Sequence, residues 1–130
     1  MNRKDYISYW KDTSGKDWDI ANKLYQNREY VYCLFFSHSC IEKLAKALWV
    51  KYGDKLHPPR VHNIVYLLEH SGIIIDDEKK EFLLILNDFH IEGRYPDYQQ
   101  KIYQICTKEY TDNILIKVNG IREWLHSLLP

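Results

Sequence analysis

The sequence lacks the features that mark several common classes of protein. Its 18 basic and 18 acidic residues cancel, whereas a non-specific nucleic-acid binder usually presents a strongly basic face. Its three cysteines are odd in number and form no Cys-x-x-Cys pair, which argues against a disulfide framework and against a zinc site. No purely apolar stretch approaches the roughly 20 residues that span a bilayer. These three classes are therefore disfavoured, whereas a local basic pocket remains compatible with the composition.

Signatures of the common enzyme classes are absent as well. The chain has no G-x-G-x-x-G, P-loop, G-x-S-x-G or H-E-x-x-H motif. The segment FSHSC places serine, histidine and cysteine side by side, but neighbouring residues of a helix point in different directions and do not form a triad. Motifs alone therefore assign no catalytic residue and no cofactor.

Two features of the sequence bear on where the protein is located. The charged N-terminal segment MNRKDY has no apolar core of the kind found in signal peptides. Cys33 and Cys40 lie seven residues apart in an apolar run, which favours buried free thiols on one helix face. We therefore expect a cytoplasmic protein with reduced cysteines and no membrane contact.

Length and periodicity predict one all-α domain over residues 1–130. Apolar residues recur at helical spacing, and no convincing alternating strand is present. The pattern indicates an antiparallel up-and-down bundle of about five helices. The predicted helices cover about residues 4–27, 29–53, 61–72, 75–90 and 107–129. Residues 31–36 are apolar all round, so we expect the second helix to be central.

Capping residues set several of the predicted boundaries. Gly53 is a plausible stop for the second helix. Asp76 or Asp77 is expected to cap the fourth helix, and Thr107 the last one. Gly93 and Pro96 are expected to end the fourth helix. On the first helix, residues at helical spacing predict the apolar face, namely Tyr6, Trp10, Thr13, Ile20 and Leu24.

The central helix carries a polar stripe. His38, Glu42 and Lys46 are spaced i, i+4 and i+8, so they share one face of an otherwise apolar helix. One interpretation is a solvated edge with a Glu–Lys pair, since long charged side chains usually face water. The other is a groove or interface in which the three side chains act together.

A second polar group lies in the segment HIEGRYPDYQQ, residues 90–100. Arg94 stands between a glycine and a Tyr-Pro pair, so a rigid turn holds it. A guanidinium held in this way suits a carboxylate, a phosphate or a stacked base. The alternative is that Arg94 pairs with Asp97 or Glu42 and only locks the helix exit.

We expect Arg94 to project toward the polar stripe, with His62 near by. His57 and His62 share a loop but have no recognised metal-ligand spacing, so no metal site is predicted. A pair of cations at this place could hold phosphate, and a tyrosine ring could offer a stacking surface. The candidate ligand-binding residues are Arg94, Tyr95, Asp97, His62, Lys46, Glu42 and His38.

The order of these segments resembles the HEPN family, the higher-eukaryote and prokaryote nucleotide-binding domain. The resemblance rests on FFSHSCIEKLAKAL, on VHNIVYLL after a Pro-containing loop, and on LNDFHIEGRYPDY, and it covers nearly the whole chain. Its most specific parts are the IEKLAKAL and RYPD blocks. The resemblance implies an all-α bundle that commonly forms a two-fold dimer.

The same resemblance implies a function and its alternatives. Many relatives are encoded beside a minimal nucleotidyltransferase in toxin–antitoxin systems, and some are metal-independent RNases. The RNases carry Arg, four to six residues, then His, and no arginine here has a histidine at that distance. Arg122 and His126 are one residue too close, and His90 precedes Arg94. We therefore expect this protein to be the partner of a minimal nucleotidyltransferase and to bind nucleotide or RNA at a polar cleft. The alternatives are a metal-independent endoribonuclease toxin and a non-catalytic structural interaction module.

The resemblance and the 11 tyrosines predict a homodimer. A two-fold interface needs one self-complementary patch, which the aromatic and polar residues of the first two helices could supply. Light scattering at micromolar to millimolar protein should give twice the chain mass of 15.7 kDa. The mass of a single chain across that range would contradict this expectation.

Overall fold

The computed structural model describes residues 1–90 and 96–130, and for residues 96–99 only the backbone. Within that part of the chain the structure contains six α-helices, a 3₁₀ turn at Asn87–Phe89 and no strand. The helices are α1 (Arg3–Gln26), α2 (Tyr30–Tyr52), α3 (Ile64–His70), α4 (Asp77–Leu86), α5 (Pro96–Ile105) and α6 (Lys108–Ser127). The all-α prediction is confirmed.

Helices α1 and α2 form a long antiparallel hairpin. The guanidinium of Arg3, at the start of α1, donates to the carbonyl oxygen of Gly53 just beyond the end of α2, at 2.9 Å. In the middle of the hairpin, the Ser14 hydroxyl donates to the Cys40 carbonyl oxygen at 2.8 Å. The two helices therefore pack side by side along their whole length.

Helix α2 is the centre of the domain, as its apolar composition predicts. Most of its side chains are buried, and Leu34, Ile41, Leu44 and Leu48 have no exposed surface. They pack into one apolar cluster with buried residues of α3, α4 and α6. Cys33, Cys40 and Cys106 are buried free thiols, as expected for the first two from their spacing. The packing of α2 therefore fixes the backbone from which its polar side chains project.

Three predicted boundaries are confirmed. Gly53 caps the C-terminus of α2, where an added Cβ would lie 2.7 Å from the Trp49 carbonyl oxygen. The Asp76 carboxylate accepts from the Lys79 amide at 2.8 Å and caps α4. The Thr107 hydroxyl accepts from the Tyr110 amide at 3.2 Å and caps α6.

The expected role of Pro96 is wrong. Pro96 is the first residue of α5, a helix that the apolar periodicity did not indicate. Proline is well tolerated at the first position of a helix, because the missing N–H would have no partner there and φ is already helical. Helix α4 ends earlier than expected, at Leu86, and continues as the 3₁₀ turn. Gly93, the other expected stop, lies outside the described residues.

The expected apolar face of α1 is partly wrong. Ile20 is exposed, whereas Asp17 and Ser14 are buried against α2. Polar side chains can be buried when each finds a partner, and both of these do. The buried face of α1 is therefore polar in its middle, which apolar periodicity could not show.

Among the described residues, no helix combines the length and the apolar character needed to cross a bilayer.

The central position of α2 predicts a large difference between two apolar truncations. Leu48→Ala removes a fully buried side chain and should lower the free energy of unfolding by about 2–5 kcal/mol. Ile116→Ala on α6 removes an exposed one and should change it by less than about 0.5 kcal/mol. Urea denaturation measures both, and equal losses would contradict the central role of α2.

Candidate functional site

A buried carboxylate lies at the centre of the polar stripe on α2. Glu42 is only 7% exposed, and its neighbour Lys46 is 8% exposed. The interpretation of the stripe as a solvated edge is therefore wrong. A buried ionised group is costly unless it is paired and hydrogen-bonded, so the contacts of Glu42 decide how this region folds.

Each oxygen of the Glu42 carboxylate contacts a different basic side chain. Lys46 Nζ donates to Oε2 at 3.0 Å, from one turn further along α2. His62 Nδ1 lies 2.8 Å from Oε1. A carboxylate only accepts hydrogen bonds, so Nδ1 of His62 carries the proton in this contact. The prediction that His62 lies beside the stripe is confirmed by these distances.

The ring of His38 lies behind this pair, one turn earlier on α2. Its Nδ1 is 4.0 Å from Glu42 Oε1, and its Nε2 is 3.4 Å from Asn87 Oδ1. The His90 ring lies 5.9 Å from the His38 ring and stacks on the His62 ring at 5.0 Å and 18°. Two imidazoles thus lie beside the carboxylate, and the third, His90, lies against both of their rings. We call His38, Glu42, Lys46, His62, Asn87 and His90 the Glu42 cluster.

Burial keeps His38 neutral at neutral pH. Desolvation lowers the pKa of His38 from 6.5 to about 4, although the nearby Glu42 carboxylate and the Asn87 hydrogen bond act in the opposite direction. His38 therefore cannot serve as a cation in this site. It holds neighbouring groups in position, whereas Lys46 and His62 are the two basic groups in direct contact with Glu42.

Asn87 connects the cluster to the start of α3. Its Oδ1 accepts from the backbone amide of Ile64 at 3.1 Å, and its Nδ2 donates to Asn63 Oδ1 at 2.9 Å. Asn63 is the N-cap of α3 and accepts from the Tyr66 amide at 3.2 Å. The 3₁₀ turn after α4 therefore places both the cap of α3 and His62, which precedes it.

The stripe also offers a cation–π contact to α1. Lys46 Nζ lies 5.4 Å from the centre of the Trp10 ring. An ammonium over an indole face is stabilised by the ring quadrupole. Lys46 is thus fixed by Glu42 and by Trp10 together.

Part of the predicted site cannot be placed. Arg94 and Tyr95 lie outside the described residues, and Asp97 belongs to α5 without a described side chain. The structure brings together His38, Glu42, Lys46 and His62 from the predicted set. It adds Asn87 and His90, which no periodic signal in the sequence identifies.

A second polar contact between α1 and α2 was missed by the sequence reasoning. Asp17 accepts from the Ser39 hydroxyl at 2.6 Å and pairs with Lys43 Nζ at 2.8 Å. Asp17 is buried, and the spacing of Ser39 and Lys43 at i, i+4 was the available signal. This group ties the hairpin together beside the Glu42 cluster.

Metal binding and the RNase motif are two further kinds of chemistry to which the structure is relevant. Among residues 1–90 and 100–130, whose side chains are described, no group of three or more His, Cys, Asp or Glu side chains has the geometry to hold a metal ion. Arg122, the nearest approach to the RNase motif, packs its guanidinium over the Trp18 ring at 4.6 Å and donates to Asn119 at 3.0 Å. Arg122 therefore packs against α1 within the bundle.

The buried state of His38 predicts a pH dependence of stability. Because folding lowers the pKa of His38 from 6.5 to about 4, the unfolded chain binds the extra proton between these values. The contribution of His38 to the free energy of unfolding is complete above pH 6.5, falls as the pH drops, and is lost near pH 4. It amounts to about 3 kcal/mol over the whole window and to about 2 kcal/mol between pH 7 and pH 5.

Urea denaturation at pH 7 and pH 5 tests this value. The His38→Gln variant should lose less stability on acidification than the unmodified protein, by about 2 kcal/mol. His57→Gln, at an exposed histidine, should show the unmodified pH dependence. The same pH dependence in all three proteins would contradict the assignment.

Comparison with known proteins identifies the family. Comparisons with curated proteins and with solved structures give no match. The family model of the HEPN domain matches residues 7–128. This range includes all six helices almost completely and every residue of the Glu42 cluster. The chain therefore belongs to the HEPN domain family.

Proposed function

We propose that this HEPN-domain protein is the partner of a minimal nucleotidyltransferase in a toxin–antitoxin-like system. In this proposal it binds a phosphate group of a nucleotide or of RNA at the Glu42 cluster. Family membership supports a module related to nucleotides or RNA. The geometry of the cluster supports the location of the phosphate.

The observation that carries the proposal is that one buried carboxylate holds two basic side chains. Lys46 and His62 approach opposite oxygens of Glu42 at 3.0 and 2.8 Å. When His62 is protonated, these three side chains carry one net positive charge. The two basic groups are then already in place before an anion arrives, which lowers the cost of ordering them on binding.

An anion from solvent can reach this positive charge through the partly exposed His62 side chain. It is 36% exposed, whereas the Glu42 side chain beside it is almost completely buried. A phosphate oxygen arriving from solvent would therefore meet His62 first and Lys46 behind it. Charge-assisted hydrogen bonds at such a partly desolvated place are stronger than those between neutral groups.

The proposal assigns Arg94 a further phosphate contact and Tyr95 a stacking surface. Arg94 follows His90 by four residues in the sequence, and the His90 ring stacks on His62. A guanidinium suits a phosphate because its planar fork can donate two parallel hydrogen bonds. Asp97, three residues later, would orient Arg94.

One observation favours the endoribonuclease alternative. His62 and His90 form a stacked pair with ring centres 5.0 Å apart, and imidazoles are the commonest general acids and bases. Cleavage of an oligoribonucleotide in the presence of EDTA, lost in both His62→Gln and His90→Gln, would support this alternative. Binding without cleavage would support the first proposal.

Exposed aromatic and aliphatic side chains on the first two helices support the proposed homodimer. Tyr9 and Ile20 on α1 and Tyr32 on α2 are large, apolar and exposed. Aromatic residues of this kind are enriched at protein interfaces. These exposed side chains are also available to a nucleotidyltransferase, which co-purification of the two proteins would detect.

Two substitutions test the phosphate site. Arg94→Ala removes a proposed phosphate contact, and His62→Gln retains a donor toward Glu42 but removes the imidazole. We expect each to weaken binding of ATP or hexaadenylate by about 10- to 150-fold, the effect of losing one hydrogen bond to a charged group. Both should melt within a few degrees of the unmodified protein. Calorimetric titration and thermal melts on the same samples measure the two quantities.

The matched control is Arg28→Asn. Arg28 is an exposed arginine with a φ of 62°, and asparagine accepts this left-handed conformation. The control should bind both ligands with unchanged affinity. Unchanged affinity of Arg94→Ala beside a lowered melting temperature would show instead that Arg94 only locks the helix exit.

A further inference from the structure

We propose that the open cavity at the C-terminal end of α2 takes an unpaired base of a single-stranded RNA. The cavity has a volume of about 660 Å³ and lies between the end of α2, the following loop and α3. A volume of this size is within the range of small-molecule sites, about 300–1,000 Å³. The inference rests on the proposed function in one respect, because the phosphates of the same strand would lie at the Glu42 cluster.

The lining of the cavity is unusually aromatic. Trp49 and Tyr52 from α2, His57 from the loop, and Tyr66 and His70 from α3 all face it. Tyr66 and His70 are stacked, with ring centres 3.9 Å apart and planes inclined by 28°. Each base has a π-face, so aromatic side chains of this kind bind bases with little dependence on sequence.

Two of these rings are open to solvent. Tyr52 is 52% exposed and Tyr66 is 41% exposed, although both are large and mostly apolar. Lys51 Nζ lies over the Tyr52 ring at 4.8 Å and His70 stacks on the Tyr66 ring, and the rest of each ring is open to solvent. They are therefore available for a flat ligand and can be removed without opening the core.

The local charge favours a nucleic acid over a cationic ligand. Lys55 and Asp54 line the cavity, and Lys51 and Arg60 belong to the same segment, residues 51–60, which therefore holds three cations and one acid. An aromatic cage for a quaternary ammonium group would be weakened by three neighbouring cations. A phosphate backbone would be attracted by them. This charge excess stands out in a chain with no net charge.

The cavity and the Glu42 cluster lie along the same face of α2. Glu42, Lys46, Trp49 and Gly53 are spaced i, i+4, i+7 and i+11, so they share one face of α2. Lys46 and Gly53 are separated by about 10 Å along the helix axis. The same loop supplies His57 to the cavity and His62 to the cluster. A short single strand can therefore place phosphates at one site and a base at the other.

The absence of a side chain at residue 53 contributes to the shape of the cavity. A Cβ on Gly53 would lie 2.7 Å from the Trp49 carbonyl oxygen, so the chain leaves α2 in close contact with that residue. The loop can then turn back toward α3 and leave the Trp49 and Tyr52 rings at the margin of an open space.

Two RNA probes separate the base from the phosphates. The first is hexaadenylate, and the second is the matching abasic hexamer, which keeps the ribose-phosphate chain and lacks the bases. We expect Tyr66→Ala and Tyr52→Ala each to weaken hexaadenylate binding by about 5- to 150-fold and to leave the abasic hexamer unaffected. Tyr66→Phe, which keeps the ring, should retain hexaadenylate binding. Fluorescence anisotropy with labelled probes measures the affinities.

Tyr103→Ala is the matched control. Tyr103 lies on α5 and is as exposed as Tyr52, at 52%. It contacts Tyr32 near the N-terminal end of α2, about 30 Å along that helix from Tyr52. Its removal should leave both affinities unchanged. A loss equal to that of Tyr52→Ala would show a general effect of surface tyrosines and would overturn the inference.

The outcomes distinguish the two proposals. If His62→Gln weakens both probes while the Tyr52 and Tyr66 variants weaken neither, the base site is overturned and the phosphate site stands. If the tyrosine variants weaken hexaadenylate alone while His62→Gln has no effect, the base site stands and the phosphate site is overturned. Failure of the unmodified protein to bind either probe overturns both. Binding of a trimethyl-lysine peptide, lost in Tyr66→Ala, would replace RNA by a cationic partner and would overturn the base site.

Discussion

The burial of the Glu42 carboxylate is the constraint on which the arrangement of the domain depends. Helix α2 is central, so a charge on its buried face must find partners within the protein. Lys46 supplies one from the same helix, and His62 supplies the other from the loop before α3. Removal of the buried partner, Lys46, is the kind of change that typically costs about 3–5 kcal/mol. The loop after α2 is therefore held against the helix by electrostatics as well as by apolar packing.

The polar contacts of α2 are divided between two neighbours. On one side, Asp17 of α1 accepts from Ser39 and pairs with Lys43, which fixes the hairpin. On the other side, Glu42 faces His62. The apolar surface of the helix lies between them and fills the core. Polar pairs at defined positions limit how α1 and the loop can slide along α2, which apolar contacts alone would allow more freely.

Local patterns predicted more of the fold than of the site. The apolar run at residues 31–36, the caps Asp76 and Thr107, and the stop at Gly53 depend on neighbouring residues, and each is confirmed. The stripe was recognisable because i, i+4 spacing fixes a face. The burial of the stripe was not recognisable, because spacing does not show which other segment covers that face. Helix α5 was missed because a proline that opens a helix and one that ends a helix look alike in a sequence. The roles of Asn87 and His90 depend on contacts between distant segments, which no local pattern encodes.

Because α3 is short, its folding depends on contacts with the Glu42 cluster. A helix of seven residues is far below the about 12–15 residues at which isolated helices become even marginal, so α3 depends on its surroundings. Its first amide is held by Asn87, which belongs to the 3₁₀ turn after α4. Separation of that turn from α3 would free His62 from its place and expose Glu42. We therefore expect the turn, the loop and α3 to open together as one unit. A ligand held by His62 would tighten this whole unit, including backbone amides that it never touches.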